Sequence, residues 1–111
     1  MAEDRTVVLR NIKVAASGDE YHLWASYNED KDLVLSAQEF SFYAKEIFGD
    51  EEREYMKTIK NKDLSYLRNV LGISDEADIL DYLLKNYAGE RSFEFERLLD
   101  NKKVLFELYI R

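Results

Sequence analysis

The residue types that most enzymes use for catalysis are nearly absent from this chain. It has no cysteine and a single histidine, His22, among 111 residues. A Ser-His-Asp triad, a Cys-His pair or a zinc site built on Cys and His needs more of these groups than the chain contains. We therefore expect a protein that is not an enzyme and that binds no cofactor or metal, with a structural role for His22.

Carboxylates are abundant, and one run of them has nearly the spacing of a calcium-binding loop. Asn28, Asp30, Asp32 and Glu39 match the oxygen-ligand positions 1, 3, 5 and 12 of an EF-hand. Position 6 of such a loop is glycine, but here it is Leu33, and the preceding residues alternate like a strand. A polar hairpin turn is the favoured interpretation, and calcium binding is the alternative.

Two clusters of acidic residues stand out. The one at 75–81 lies where a helix is predicted to begin, and a helix N-terminus is stabilised by acidic residues. The other cluster follows a predicted helix C-terminus, where anions are unfavourable, and consists of Asp50, Glu51, Glu52 and Glu54. We expect this second group to face a binding partner, with Tyr55 and Trp24 as aromatic anchors; a solvated loop is the alternative. The aromatic residues expected to be partly exposed are Trp24, Tyr27, Tyr55 and Tyr66.

The net charge of −7 is concentrated in one half of the chain. Residues 1–56 carry the whole excess of acidic groups, and residues 57–111 are balanced. An acidic surface repels nucleic-acid phosphate and attracts basic proteins. We expect a basic protein partner and no nucleic acid, although ordinary solubility charge explains the same excess.

Length and hydropathy predict a single domain over residues 1–111. No apolar run approaches the roughly 18 residues of a membrane span, and the first residues lack the apolar segment of a signal peptide. We therefore expect a cytoplasmic protein that does not associate with a membrane.

Hydrophobic periodicity predicts an α+β fold. Period-two alternation and β-branched residues favour strands over 6–16, 21–28, 32–38, 53–60 and 104–111. Helical spacing predicts helices from Phe40 to Gly49, over 64–71, after an N-cap at Ser74, and from Ser92 to Leu99. We expect a mostly antiparallel sheet, an N-terminal meander plus the C-terminal strand, with three to four helices packed on one face. An internal position is favoured for the last strand, and an edge position open to strand addition is the alternative.

The order of three segments resembles a family of small, acidic, largely uncharacterised bacterial proteins. The matching pieces are Trp24 with Asp32–Phe40, Ile47–Asp50 with Glu54-Tyr55, and Phe95 with Leu98-Leu99 and Phe106. In size and charge these proteins are similar to the immunity proteins that neutralise interbacterial toxins.

Composition, charge and resemblance together predict a non-enzymatic binding protein. The favoured hypothesis is an immunity-type or inhibitor protein that occludes a basic surface of a toxin or nuclease. The alternative is a structural or adaptor subunit that self-associates through its C-terminal strand, so both a monomer and a homodimer stay open.

Overall fold

The computed structural model of the chain describes residues 5–40 and 52–111. This part contains five β-strands, β1 to β5, which span Thr6–Val14, Asp19–Tyr27, Leu33–Phe40, Glu52–Ile59 and Glu107–Ile110. Its three α-helices, α1 to α3, span Leu64–Leu71, Ile79–Asn86 and Arg91–Asn101, and a 3₁₀ turn at Asn61–Asp63 precedes α1. The helix predicted from Phe40 to Gly49 falls largely outside the described residues, as do Asp50 and Glu51.

The strands form one antiparallel sheet in the order β1-β2-β3-β4-β5. The turn between β1 and β2 contains Gly18, whose φ of +77° suits glycine and whose N–H donates to the Val14 carbonyl. The α+β fold and the antiparallel meander are therefore confirmed. Because β5 pairs only with β4, it is an edge strand of the described sheet, and the expectation that it is internal is wrong.

The described helices cover one face of the sheet. Buried side chains of the strands, Leu23 and Leu35 among them, pack with Leu67, Leu83 and Phe95 of the three helices in one hydrophobic core. Successive side chains of a strand point to opposite faces, so the residues that flank these core positions lie on the other face. The prediction that the helices pack on one face is confirmed.

The helix boundaries follow capping chemistry. Helix α1 ends, as predicted, at Gly72, which adopts the left-handed conformation with φ +74°. Helix α2 begins later than predicted, because its N-cap is Asp78 rather than Ser74. The Asp78 carboxylate accepts the N–H of Leu80 at 2.9 Å. Serine and aspartate are both good caps, and the buried pair Ile79 and Leu80 marks the actual start.

Ser92 does not cap α3 but lies inside it. Its hydroxyl donates to the Gly89 carbonyl at 2.6 Å and accepts from Arg10 Nε at 2.7 Å. The prediction failed because a buried arginine on β1 uses the hydroxyl, a contact between residues far apart in sequence. The turn between α2 and α3 is also fixed to β1, since the Gly89 N–H donates to the Leu9 carbonyl at a β-bulge.

The strand boundaries differ from the predicted ones by up to three residues, and two of these differences bear on the predicted elements. Phe40, expected to begin a helical stripe, is the last residue of β3. The C-terminal strand is shorter than 104–111, because Val104 is buried in the turn after α3 and donates its N–H to the Leu99 carbonyl. Pairing with Glu20 and Glu52 therefore extends β3 to Phe40, and burial of Val104 in the core delays the start of β5.

A buried group of charged side chains fixes α3 to the sheet. The Glu96 carboxylate accepts hydrogen bonds from Arg10 Nη2 at 2.7 Å, from the Tyr55 hydroxyl at 2.8 Å and from Lys57 Nζ at 2.8 Å. Arg10 belongs to β1, and Tyr55 and Lys57 belong to β4. One carboxylate of α3 thus ties together two strands that are separated by two others.

The Arg10 guanidinium depends strongly on Glu96 for compensation of its charge. It is fully buried and lies 3.6 Å from the centre of the Phe93 ring. Its Nη1 finds no hydrogen-bond partner among residues 5–40 and 52–111. Loss of the carboxylate would leave a buried cation held by the aromatic ring and the Ser92 hydroxyl.

These contacts shift the pKa values of the groups they join. Burial alone would raise the pKa of Glu96, but the hydrogen bond from Lys57 and the charges of Lys57 and Arg10 outweigh it and lower that pKa. Burial, together with the negative charge of Glu96, raises the pKa of Tyr55. At neutral pH the cluster therefore holds an ionised Glu96 and a neutral Tyr55 hydroxyl that donates to it.

Replacing Glu96 tests this tie. We expect Glu96→Ala to lower the free energy of unfolding by about 3–5 kcal/mol, because it leaves Arg10 and Lys57 without their carboxylate. Glu94→Ala is the matched control: it removes an exposed carboxylate of the same helix and is expected to cost about 0.5 kcal/mol or less. Urea unfolding measures both, and equal losses would contradict the assigned role of Glu96.

The same carboxylate predicts a pH dependence. The pKa of Glu96 is lower in the folded protein, so its contribution to stability is present above the unfolded value of about 4.3. That contribution is lost as the pH falls through the folded value. We expect the difference in unfolding free energy between the wild type and Glu96→Gln, measured from pH 6 to pH 3, to shrink on the acidic side of the unfolded value of about 4.3. A difference that stays constant over this range would contradict the shift.

Candidate functional site

The candidate site lies on the face of the sheet that the described helices do not cover, here called the open face. One row of directly paired residues crosses four strands: Trp24 pairs with Ser36, Ser36 with Met56, and Met56 with Tyr109. Directly paired residues share a face. Because Ser36 is small, the row encloses a shallow depression of about 500 Å³ that Gln38 also lines. Large apolar and aromatic groups therefore surround a recess on this face.

His22 supports one wall of the recess. It lies two residues before Trp24 on β2, and the two rings stack with centroids 5.7 Å apart and planes 11° apart. Its Nε2 is 3.3 Å from a carboxylate oxygen of Glu20. The only histidine of the chain thus orients the only tryptophan, which agrees with the structural role expected for it.

Two carboxylates border the recess. The Gln38 amide donates to Glu52 at 2.8 Å and to Glu54 at 3.4 Å, and Arg111 Nη1 donates to Glu54 at 2.9 Å. Hydrogen bonds with the Glu52 carboxyl and with Arg111 lower the pKa of Glu54. Glu54 is therefore ionised at neutral pH, and the border of the recess is negatively charged beside one arginine.

The structure brings together some of the predicted partner-binding residues and separates others. Trp24, Glu52 and Glu54 share the open face, and Trp24 and Glu54 both line the recess. Tyr55 also borders the recess, but it is only 8% exposed and its side chain lies on the other face, where its hydroxyl meets Glu96 under the helices. The expectation that Tyr55 is partly exposed is therefore wrong, because neighbours on a strand point to opposite faces. Partial exposure is confirmed for Tyr66, Tyr27 and Trp24.

Among the residues of the recess that were not predicted from the sequence are Met56 and Tyr109. Met56 lies on β4 between the core positions Tyr55 and Lys57, and Tyr109 lies on β5 between Leu108 and Ile110. Alternation on each strand shows that both point away from the apolar face. The pairing of β5 with β4, which alone places them side by side, has no local signal in the sequence.

The calcium-like segment is a hairpin turn. The Asn28 side-chain oxygen accepts the N–H groups of Asp30 and Asp32 at 3.0 Å, an Asx turn, and β3 begins at Leu33. The Asp32 carboxylate accepts the N–H of Asn61, the main cause of its lowered pKa. The hairpin interpretation is therefore confirmed. Within residues 5–40 and 52–111, no three His, Cys, Asp or Glu side chains are grouped as a metal ion requires.

The acidic residues at 75–81 serve the start of α2. Asp78 caps the helix, and the Arg5 guanidinium, just before β1, forms ion pairs with Asp78 and Asp81. The hydrogen bond from Arg5 lowers the pKa of Asp81. Local helix stabilisation explains these two carboxylates, while Asp75 and Glu76 are exposed in the preceding turn.

The chain matches no protein-family model, no curated protein and no solved structure. None of the helices in the described ranges has the length and apolar character needed to cross a bilayer. The site must therefore be interpreted from its own geometry.

The assignment of the two faces predicts unequal effects for neighbouring residues. We expect Leu23→Ala to lower the unfolding free energy by about 2–5 kcal/mol, because it creates a cavity in the core. Trp24→Ala is expected to cost less, even though it removes a larger side chain, since Trp24 is partly exposed on the open face. Urea unfolding followed by circular dichroism measures both. A greater loss for Trp24→Ala than for Leu23→Ala would show that the faces are wrongly assigned.

Proposed function

We propose that this chain is a non-enzymatic, cytoplasmic binding protein of the immunity or inhibitor type, whose open face occludes a basic surface of a toxin or nuclease. One observation carries the proposal: Trp24, Met56 and Tyr109 form a row beside Glu52 and Glu54 on the face that no described helix covers. Such a row has the composition of a protein-protein interface.

The apolar part of the face supports the proposal through its residue types. Tryptophan, tyrosine and methionine are enriched at the centres of interfaces, where a few well-packed residues supply most of the binding energy. Met56 and Tyr109 are exposed, and Trp24 is held in place by His22. These groups offer a partner a preorganised apolar surface with little loss of side-chain freedom on binding.

The charged part of the face supports a basic partner. Glu52 and Glu54 lie beside the recess, and the chain as a whole has a net charge of −7. Acidic groups at the rim of an interface steer a cationic partner towards it and raise the association rate. Coverage of a partner's basic surface requires no bond-making, which suits a chain with one histidine and no cysteine.

The buried charged cluster around Glu96 is another group of ionisable side chains, and its contacts favour a structural role. Glu96 is surrounded by Arg10, Tyr55 and Lys57, all within hydrogen-bond distance. These side chains are buried or nearly so, between α3 and the sheet. The open face is therefore the better candidate for binding.

Charge reversal on the two sides of the molecule tests the proposal. The variant Glu52→Lys/Glu54→Lys changes the open face, and the control Asp75→Lys/Glu76→Lys makes the same change of charge in the exposed turn before α2. Each immobilised protein is exposed to lysate of the source cell at low salt. We expect the wild type and the control to capture the same basic protein and the open-face variant to lose it.

The purified partner then gives a rate. We expect the open-face variant to associate at least tenfold more slowly than the control and with a weaker dependence on salt, because electrostatic steering towards this face is lost. An association rate that is the same for both variants, or capture of no basic protein by the wild type, would contradict the proposal.

A second candidate function is a structural or adaptor subunit that self-associates through β5. The observation in its favour is the position of β5 at the edge of the described sheet, with exposed apolar side chains. An edge strand presents unpaired backbone groups to a further strand. Light scattering on the purified protein separates this candidate from a monomeric inhibitor.

A further inference from the structure

The edge of the sheet at β5 is unusually apolar. Leu105 is 66% exposed, and Leu108, Tyr109 and Ile110 are 54%, 63% and 55% exposed. No strand of the described part lies beyond them. Edge strands are often protected by bulges, prolines or lysines, and β5 contains none of these within Glu107–Ile110.

The opposite edge, at β1, is protected. A bulge interrupts the pairing register between Val8 and Arg10, and the Leu9 carbonyl is occupied by the Gly89 N–H at 2.6 Å. Bulges disrupt the regular array of donors and acceptors that a new strand needs. Of the two edges, only β5 is therefore suited to continue the sheet.

The backbone hydrogen bonds show which groups of β5 are free to pair. The Arg111 N–H donates to the Glu54 carbonyl at 3.1 Å. In an antiparallel ladder, hydrogen-bonded pairs alternate along the strand, so Glu107 and Tyr109 also turn their backbone groups towards β4. It follows that Leu108 and Ile110 direct their N–H and carbonyl groups outwards, away from the sheet.

We propose that β5 pairs with β5 of a second copy of this chain, antiparallel and around a two-fold axis at Tyr109. In this register Leu108 and Ile110 of one copy exchange backbone hydrogen bonds with Ile110 and Leu108 of the other. Tyr109 lies opposite its own equivalent, in a non-hydrogen-bonded pair whose side chains approach closely. The two sheets then form one continuous sheet, and the two open faces adjoin.

Charge complementarity selects this register. With the axis at Tyr109, Glu107 of each copy lies opposite Arg111 of the other on the open face, and each favourable pair adds to the ion pairs that Glu107 makes with Lys60 and Arg111 with Glu54 in their own chain. If the axis moves to Leu108, the same outward backbone groups still pair, but Arg111 then lies opposite Leu105 and Glu107 opposite Tyr109. That register forms no ion pair. Of the two registers, only the one with its axis at Tyr109 places opposite charges across the contact.

The inference rests on the second candidate function and not on the basic partner. The contact is short, so we expect a weak dimer whose population depends on protein concentration. The experiment contains only this protein. If no dimer forms, the self-association is excluded. The proposed binding of a basic partner on the open face is unaffected, because a separate experiment tests it.

Sedimentation equilibrium of the full chain, from about 10 μM to about 1 mM, covers the affinities of weak contacts. We expect the wild type to dimerise. Ile110→Pro removes an outward N–H without touching a hydrogen bond between β4 and β5, and we expect it to be monomeric with an unchanged circular dichroism spectrum. Should this variant unfold, the charge variants below decide the question, because they leave the backbone intact.

The charge variants test the register itself. Glu107→Lys and Arg111→Glu each place like charges opposite one another in their own dimers, and we expect each alone to dimerise about tenfold more weakly than the wild type. Mixed together, they place opposite charges at both positions, so we expect a heterodimer. A wild type that stays monomeric over the whole range, a dimer that folded Ile110→Pro retains, or variants that fail to pair preferentially with each other would overturn the proposal.

Discussion

The architecture depends on one carboxylate. Glu96 of α3 receives hydrogen bonds from Arg10 on β1 and from Tyr55 and Lys57 on β4, and so it holds the helix across the width of the meander. A buried ion pair of this kind adds little net stability, but removing one member is costly, because the other charge stays buried. The cluster thus joins α3 to β1 and β4 at fixed points. With the described helices on that side, the opposite face of the sheet has no described helix over it.

The two faces of the sheet carry different kinds of side chains. One face contains the hydrophobic core and the compensated charges, which account for folding. The other face contains an aromatic and thioether row bordered by carboxylates, to which we assign the proposed binding. Because successive side chains of a strand point to opposite faces, adjacent residues such as Leu23 and Trp24 belong to different faces. A binding protein that works by covering its partner requires such a surface and no reactive group.

Features carried by local patterns could be predicted from the sequence, and features carried by distant contacts could not. Helix α1, its end at Gly72, and the antiparallel strands follow from periodicity and turn residues. The role of Ser92 depends on Arg10, which lies 82 positions away in sequence. Tyr55 was grouped with Glu54 as a neighbour in sequence, although alternation within a strand separates them. Tyr109 joins the recess only because β5 pairs with β4.

If the open face meets the partner, Trp24 lies in the contact. Because Trp24 is the only tryptophan, protein grown with fluorotryptophan gives a single fluorine NMR resonance from the wall of the recess. We expect addition of the captured basic partner to shift or broaden this resonance in proportion to the fraction bound. A saturated complex in which the resonance is unchanged would contradict it.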